Sequence, residues 1–215
     1  MPQVQTYGTP VREAQAICVF LHGRGQDPEA MVEMVCSRLD APGVHFILPK
    51  SPRPAWYDAK AVDPIAGDTA AQLDEALEIV RTEVARAREM ANGRPVIVGG
   101  FSQGACTTTE YLLRGGAGAD AAILLTGCRV GAVQDDLPRA SLDGLPIYAT
   151  DSDDDPWIPL WAFQKSIHDF ARAGARLHMD IVPGRDHGVA DCEIRAIDAM
   201  LADIAAGRPP FGGNT

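Results

Sequence analysis

No apolar run in the 215 residues reaches the roughly 18 that a membrane-spanning helix needs, which removes a bilayer span from the reading. Residues 1–12 carry no basic-then-apolar leader pattern. Basic residues are in short supply. The chain has 19 Lys and Arg against 29 Asp and Glu, a formal net charge of −10, which argues against nucleic acid or an anionic membrane as partner. The five cysteines are odd in number and scattered, with no C-x-x-C pair and no zinc spacing. Cys18, Cys106 and Cys128 therefore read as small core residues in a reducing, cytoplasmic setting. No phosphate loop or metal cluster is recognisable, so no cofactor is expected. No linker interrupts the chain, so the expectation is one domain over residues 1–206 and a loose Pro/Gly-rich tail over 207–215.

What is present is an apolar content of 46%, enough for a sizeable core, arranged as strand-like and helix-like segments in alternation. Strands are expected at 15–21, 44–48, 95–98, 121–125, 146–150 and 177–182, the last as a core strand, with 4–6 as an edge strand. Helices are expected at 28–39, with Asp27 as N-cap and Pro28 in first position, and at 107–114, 159–173 and 189–206. A long helix is expected at 68–90, where Leu73, Leu77, Val80 and Val84 keep helical spacing and Asn92-Gly93 follows. Continuous apolar strands between helices imply a mostly parallel sheet covered on both faces, with chemistry at the carboxyl ends of the strands.

Gly100-Phe101-Ser102-Gln103-Gly104 lies between an apolar strand and a helix, the setting of a nucleophile elbow. Such a turn lifts Ser102 Oγ above the sheet and leaves the Gln103 N–H at a helix start, where an oxyanion can be received. Of the five histidines, His45 and His178 fall inside strands and His168 on a helix. His187 falls in the loop 183–188, just past the last strand, where imidazole can swing over the elbow. The loop after residue 150 offers Asp151, Asp153, Asp154 and Asp155; mutual repulsion turns most of them to water, and residue chemistry alone leaves Asp153 and Asp155 open as the acid. The order Ser, Asp, His is that of α/β-hydrolases. A second oxyanion donor is expected in the turn His22-Gly23-Arg24-Gly25, at the Arg24 N–H; the Arg24 side chain reads as a surface arginine or a ligand for an anionic substrate group.

These segments together resemble the phospholipase/carboxylesterase family of α/β-hydrolases, which includes acyl-protein thioesterases and small bacterial carboxylesterases. The resemblance rests on Leu21-His22-Gly23-x-Gly25, Pro54-Ala55-Trp56-Tyr57-Asp58, the elbow, Asp153-Asp154-Asp155-Pro156-Trp157-Ile158-Pro159, and Gly184-x-x-His187 with Glu193, from about residue 17 to 193. Ser152, Ala105 and Arg24 depart from the family pattern. The resemblance implies Ser102 as nucleophile, Asp155 as acid, His187 as base and the backbone N–H groups of Arg24 and Gln103 as oxyanion donors. It is also compatible with a homodimer.

Only residues 126–145 are available for a cap after the fifth strand, too few for a helical cap, so an α/β-hydrolase fold without a large cap domain and with an open site is expected. Trp56, Tyr57, Phe101 and Trp157 are expected to bind substrate as walls of an acyl pocket, whereas Trp161 is expected to pack helix against sheet. The expected function is hydrolysis of carboxylic esters, or thioesters, of small to medium acyl groups. A ligand-binding sensor on a hydrolase scaffold and an acyltransferase are the alternatives.

Overall fold

The computed structural model describes residues 3–133, 135 and 137–212. Seven strands form one sheet: β1 (Val4–Gly8), β2 (Ala16–Leu21), β3 (Val44–Pro49), β4 (Val96–Phe101), β5 (Ala121–Leu125), β6 (Pro146–Asp151) and β7 (Arg176–Ile181). Their order is β1-β3-β2-β4-β5-β6-β7, and only β1 runs antiparallel, on β3. Five helices connect and cover them: α1 (Pro28–Met34), α2 (Thr69–Ala91), α3 (Gln103–Leu113), α4 (Leu160–Arg172) and α5 (Asp191–Ala205).

The two-residue period of a strand sorts the core into two layers. Ile17, Val19 and Leu21 of β2 join Leu73, Leu77, Val80 and Val84 of α2 on one face. Ala16, Cys18 and Phe20 face the other way, into a layer with Met31 and Val32 of α1 and Ile194, Ile197 and Leu201 of α5. The four α2 residues are almost fully buried, and each such side chain contributes about 2 kcal/mol relative to exposure. Every residue of β2, β3, β4 and β5 is buried, as strands covered on both faces must be.

Helix ends follow their local chemistry. Asp27 Oδ1 accepts the Ala30 N–H at 3.2 Å, with Pro28 leading α1. Helix α1 stops at Met34, earlier than its expected end at 39, and gives way to a short 3-10 turn (Cys36–Arg38). Helix α2 stops where Asn92 takes a left-handed conformation (φ 47°). Helix α3 starts at Gln103, four residues before the expected 107, because it grows directly from the elbow.

Two expectations are corrected. Strand β7 is an edge strand: it pairs with β6 alone, and Met179 and Ile181 remain exposed. Trp161 is 48% exposed and does not wedge α4 against the sheet. The stretch after Gly207 is docked as far as described: Phe211 stacks on His178 with ring centroids 4.2 Å apart, and Arg176 Nη2 donates to Pro210 O at 3.1 Å. Residues 213–215 of that stretch lie outside the described residues. The connection 126–145 forms no helix among its described residues, so no large cap covers the sheet edge.

Candidate active site

Strand β4 delivers Ser102 through a turn that only small residues allow. A Cβ on Gly100 would lie 2.5 Å from the Gly104 carbonyl carbon, and one on Gly104 would lie 2.3 Å from Leu21 O. The chain passes through Ser102 at φ 54° and ψ −121°, a strained conformation for a residue with a side chain, and Ser102 Oγ makes no helix-capping bond. The hydroxyl is thus held up from the sheet, while Ser102 N–H is tied to Leu125 O at 2.9 Å.

The loops after β6 and β7 supply its partners. His187 Nε2 lies 2.9 Å from Ser102 Oγ, and His187 Nδ1 lies 2.7 Å from Asp155 Oδ2. Asp155 Oδ1 accepts the Trp157 and Ile158 N–H groups, both at 2.8 Å. A carboxylate offers only acceptors, so the tautomer that satisfies both contacts carries its proton on Nδ1, toward Asp155, and turns the Nε2 lone pair to Ser102. The Asp155 side chain is fully buried, and that of His187 is 19% exposed. The Phe101 ring backs the imidazole, with centroids 5.1 Å apart. Asp153 plays a different part. Its Oδ1 accepts the Gly184 N–H at 2.7 Å, joining the acid loop to the histidine loop.

The turn after β2 is set by a buried histidine. His22 Nε2 accepts the Ser51 N–H at 3.0 Å, so Nδ1 bears the proton and donates to Gly23 O at 2.7 Å. Burial lowers the His22 pKa and keeps the ring neutral. The Arg24 guanidinium crosses to the neighbouring loop, where Nη2 donates to Tyr57 O at 2.9 Å, Asp58 O at 3.1 Å and Ala59 O at 2.5 Å. Arg24 is an exposed arginine at the border of the cavity, and these bonds tie it to the wall of the site. Gln103 does the same from α3, accepting the Trp56 N–H at 2.9 Å and donating to Tyr57 O at 2.7 Å. The Gln103 N–H, first in its helix, has no intrahelical acceptor.

A cavity of about 370 Å³ lies against Ser102 and His187, walled by Tyr57, Ala59, Ile158 and Trp157 and bordered by Arg24 and Lys60. Tyr57 and Trp157 therefore border it, Trp157 at 64% exposure. Trp56 and Phe101 do not border it. Trp56 is wholly buried beneath the β2 turn, where its indole N–H donates to His22 O at 2.8 Å, and Phe101 is buried behind His187. The Cys106 thiol, one helical turn past Ser102, borders the cavity and accepts the Cys128 N–H at 3.3 Å. Cys128 donation stabilises the Cys106 thiolate and lowers its pKa.

Asp151 does not face water with the rest of the acidic run. Strand β6 runs one residue further than its apolar pattern indicates, and Asp151 pairs with Ile181 and is fully buried, neither oxygen hydrogen-bonded among the described residues. Burial, chiefly, raises its pKa from 3.8 to about 7. Between those values the folded chain keeps a proton that the unfolded chain has released, so this group's contribution to stability falls as pH rises and levels off above about 7. Asp151→Asn has no proton to lose. It is expected to unfold a few degrees higher than the parent at pH 8 and level with it near pH 4, read by thermal melts across pH.

A serine on a strand–turn–helix, facing a histidine at the carboxyl edge of a mostly parallel sheet, is the architecture of an α/β-hydrolase. The sequence profile of the phospholipase/carboxylesterase family matches residues 5–204, and the chain belongs to that family. The phospholipase/carboxylesterase of Dyadobacter fermentans superposes with a TM-score of 0.83 at 26% identity, over 94% of this chain and 97% of that one. Acyl-protein thioesterase 2 of Zea mays superposes with a TM-score of 0.77 at 18% identity, over 95% and 100% of the two chains, a likeness of fold. Acyl-protein thioesterase 1 homolog 1 of Dictyostelium discoideum is 30% identical over 106 residues, 42% of this chain and 46% of that relative. The match thus spans about half the length of that curated relative. No helix among the described residues is long and apolar enough to cross a membrane.

Proposed function

We propose that the chain hydrolyses carboxylic esters and thioesters of small to medium acyl groups through Ser102, His187 and Asp155. The observation that carries this is the unbroken chain of contacts, 2.9 Å from Ser102 Oγ to His187 Nε2 and 2.7 Å from Nδ1 to Asp155. Oγ attacks the acyl carbon as Nε2 takes its proton, and Asp155 stabilises the imidazolium. The oxyanion is received by the backbone N–H groups of Arg24 and Gln103. The tetrahedral species collapses, Nε2–H protonates the leaving alcohol or thiol, and an acyl ester on Ser102 remains. Water, deprotonated by Nε2, then releases the acid and restores the hydroxyl. Tyr57, Ala59 and Ile158 form the acyl wall and Trp157 its lip. Thioesters are included because the Dictyostelium relative is named as an acyl-protein thioesterase.

A panel of p-nitrophenyl esters and acyl thioesters of increasing chain length tests this. Turnover is expected to be highest for acyl groups that the 370 Å³ cavity accommodates and to fall for longer ones. Absence of turnover on every member, with no fluorophosphonate labelling of Ser102, would instead favour a binding protein on a hydrolase scaffold.

A further inference from the structure

We infer that Arg185 positions the proposed base: its guanidinium grips the histidine loop on both sides of His187 and ties it to the rear of the elbow. This rests on His187 acting as the base. Arg185 is 8% exposed, and its two terminal nitrogens make three directed hydrogen bonds. Nη1 donates to Asp186 O at 2.6 Å and to Gly188 O at 2.7 Å, the carbonyls flanking His187. Nη2 donates to Thr126 Oγ1 at 2.8 Å. Nε lies 3.2 Å from Glu193 Oε2 at the start of α5, in an ion pair closed to solvent. The Arg185 carbonyl accepts the Ser152 hydroxyl at 2.6 Å, from the acid loop.

Thr126 connects this clamp to the nucleophile. It follows Leu125, whose carbonyl holds Ser102 N–H at 2.9 Å, and its own N–H donates to Thr150 O at 2.8 Å. One planar group therefore fixes the histidine loop against the strand that also anchors Ser102. Within the loop Gly188 N–H bonds Asp186 O at 2.9 Å and Arg185 N–H reaches Val182 O at 3.4 Å, and at its start Asp153 Oδ1 holds the Gly184 N–H at 2.7 Å, three residues before His187. A guanidinium presents donors in a rigid fork, which suits three acceptors on two segments; an ammonium on a flexible stem does not. Arg185 does not border the cavity, so it acts on catalysis through His187 and leaves substrate binding alone. A displacement of about 1 Å at a catalytic group costs on the order of 10²-fold in rate.

The test compares Arg185→Met, Arg185→Lys, Thr126→Ala and His187→Ala on p-nitrophenyl acetate. Arg185→Met is expected to lower kcat by about 10²-fold with KM within about two-fold, and Arg185→Lys by about ten-fold, while His187→Ala falls further than either. The low-field proton resonance of His187 Nδ1–H is expected to be sharp in the parent and to broaden or vanish in Arg185→Met. Arg185→Met also leaves Glu193 buried without its partner. If that variant does not fold, Thr126→Ala carries the test, with an expected loss of about five-fold in kcat. A kcat within about two-fold of the parent and an unchanged resonance in the folded Arg185 and Thr126 variants, beside an inactive His187→Ala, would overturn the positioning role alone. An active His187→Ala would overturn the base assignment and this inference with it.

Discussion

Ser102→Ala is expected to lower kcat/KM on p-nitrophenyl acetate by about 10⁴–10⁶-fold, the range seen when a triad nucleophile is deleted. The substitution removes one atom and little else. Ser102 Oγ makes no capping bond in α3, and its protein partner is His187 Nε2 at 2.9 Å. Alanine keeps the Cβ, so the φ 54° conformation costs the variant what it costs the parent. The imidazole left behind is partly exposed toward the cavity, where water can bond Nε2. The unfolding temperature should therefore stay within a few degrees of the parent while activity disappears. Loss of both together would place Ser102 among the structural residues.

Asp155→Asn should cost about 10⁴-fold in kcat, and Asp153→Asn no more than about three-fold. The difference comes from donor and acceptor counts. Asp155 accepts three N–H groups: Trp157 and Ile158 on Oδ1 and His187 on Oδ2. An amide has one oxygen. If that oxygen keeps the two backbone donors, the NH₂ faces His187 Nδ1 and forces the proton to Nε2, which can then no longer accept from Ser102. If the amide flips, its NH₂ meets two backbone donors and the acid loop must move. Asp153, by contrast, accepts a single N–H, from Gly184 through Oδ1, and Asn supplies the same oxygen. Measuring both variants across pH decides the pair, and a larger loss in Asp153→Asn would transfer the acid role to that residue.

The elbow is legible in the sequence because its glycines mark close backbone approaches, 2.5 Å to the elbow's own helix at Gly100 and 2.3 Å to Leu21 O of the neighbouring β2 at Gly104. The strands are legible because burial on both faces leaves continuous apolar runs. Other features depend on packing that no local pattern encodes. Leu177, Met179 and Ile181 read as core, yet among the described residues no strand pairs on the outer side of β7. Trp56 and Phe101 are apolar whether they line a cavity or support a turn. Only the fold turns the Trp56 indole N–H to His22 O and places the Phe101 ring behind His187. Asp151 sits in a run of acidic residues that belongs to solvent by composition, and the extension of β6 by one residue draws it inside. Arg24 and Arg185 are long side chains whose acceptors lie on other loops: Tyr57, Asp58 and Ala59 for Arg24, and Thr126 and Glu193 for Arg185. The charge is visible in the sequence and its partners are not.

Cys106 sharpens the choice of decisive experiment, because it borders the cavity one helical turn from Ser102. Rapid acid quench of the enzyme with p-nitrophenyl acetate, followed by peptide mass spectrometry, reads which atom carries the acyl group. An acetyl adduct on Ser102 that forms within the first turnover and is absent from Ser102→Ala is the expected result. An adduct on Cys106, or turnover that persists in Ser102→Ala with no acylated residue, would contradict it.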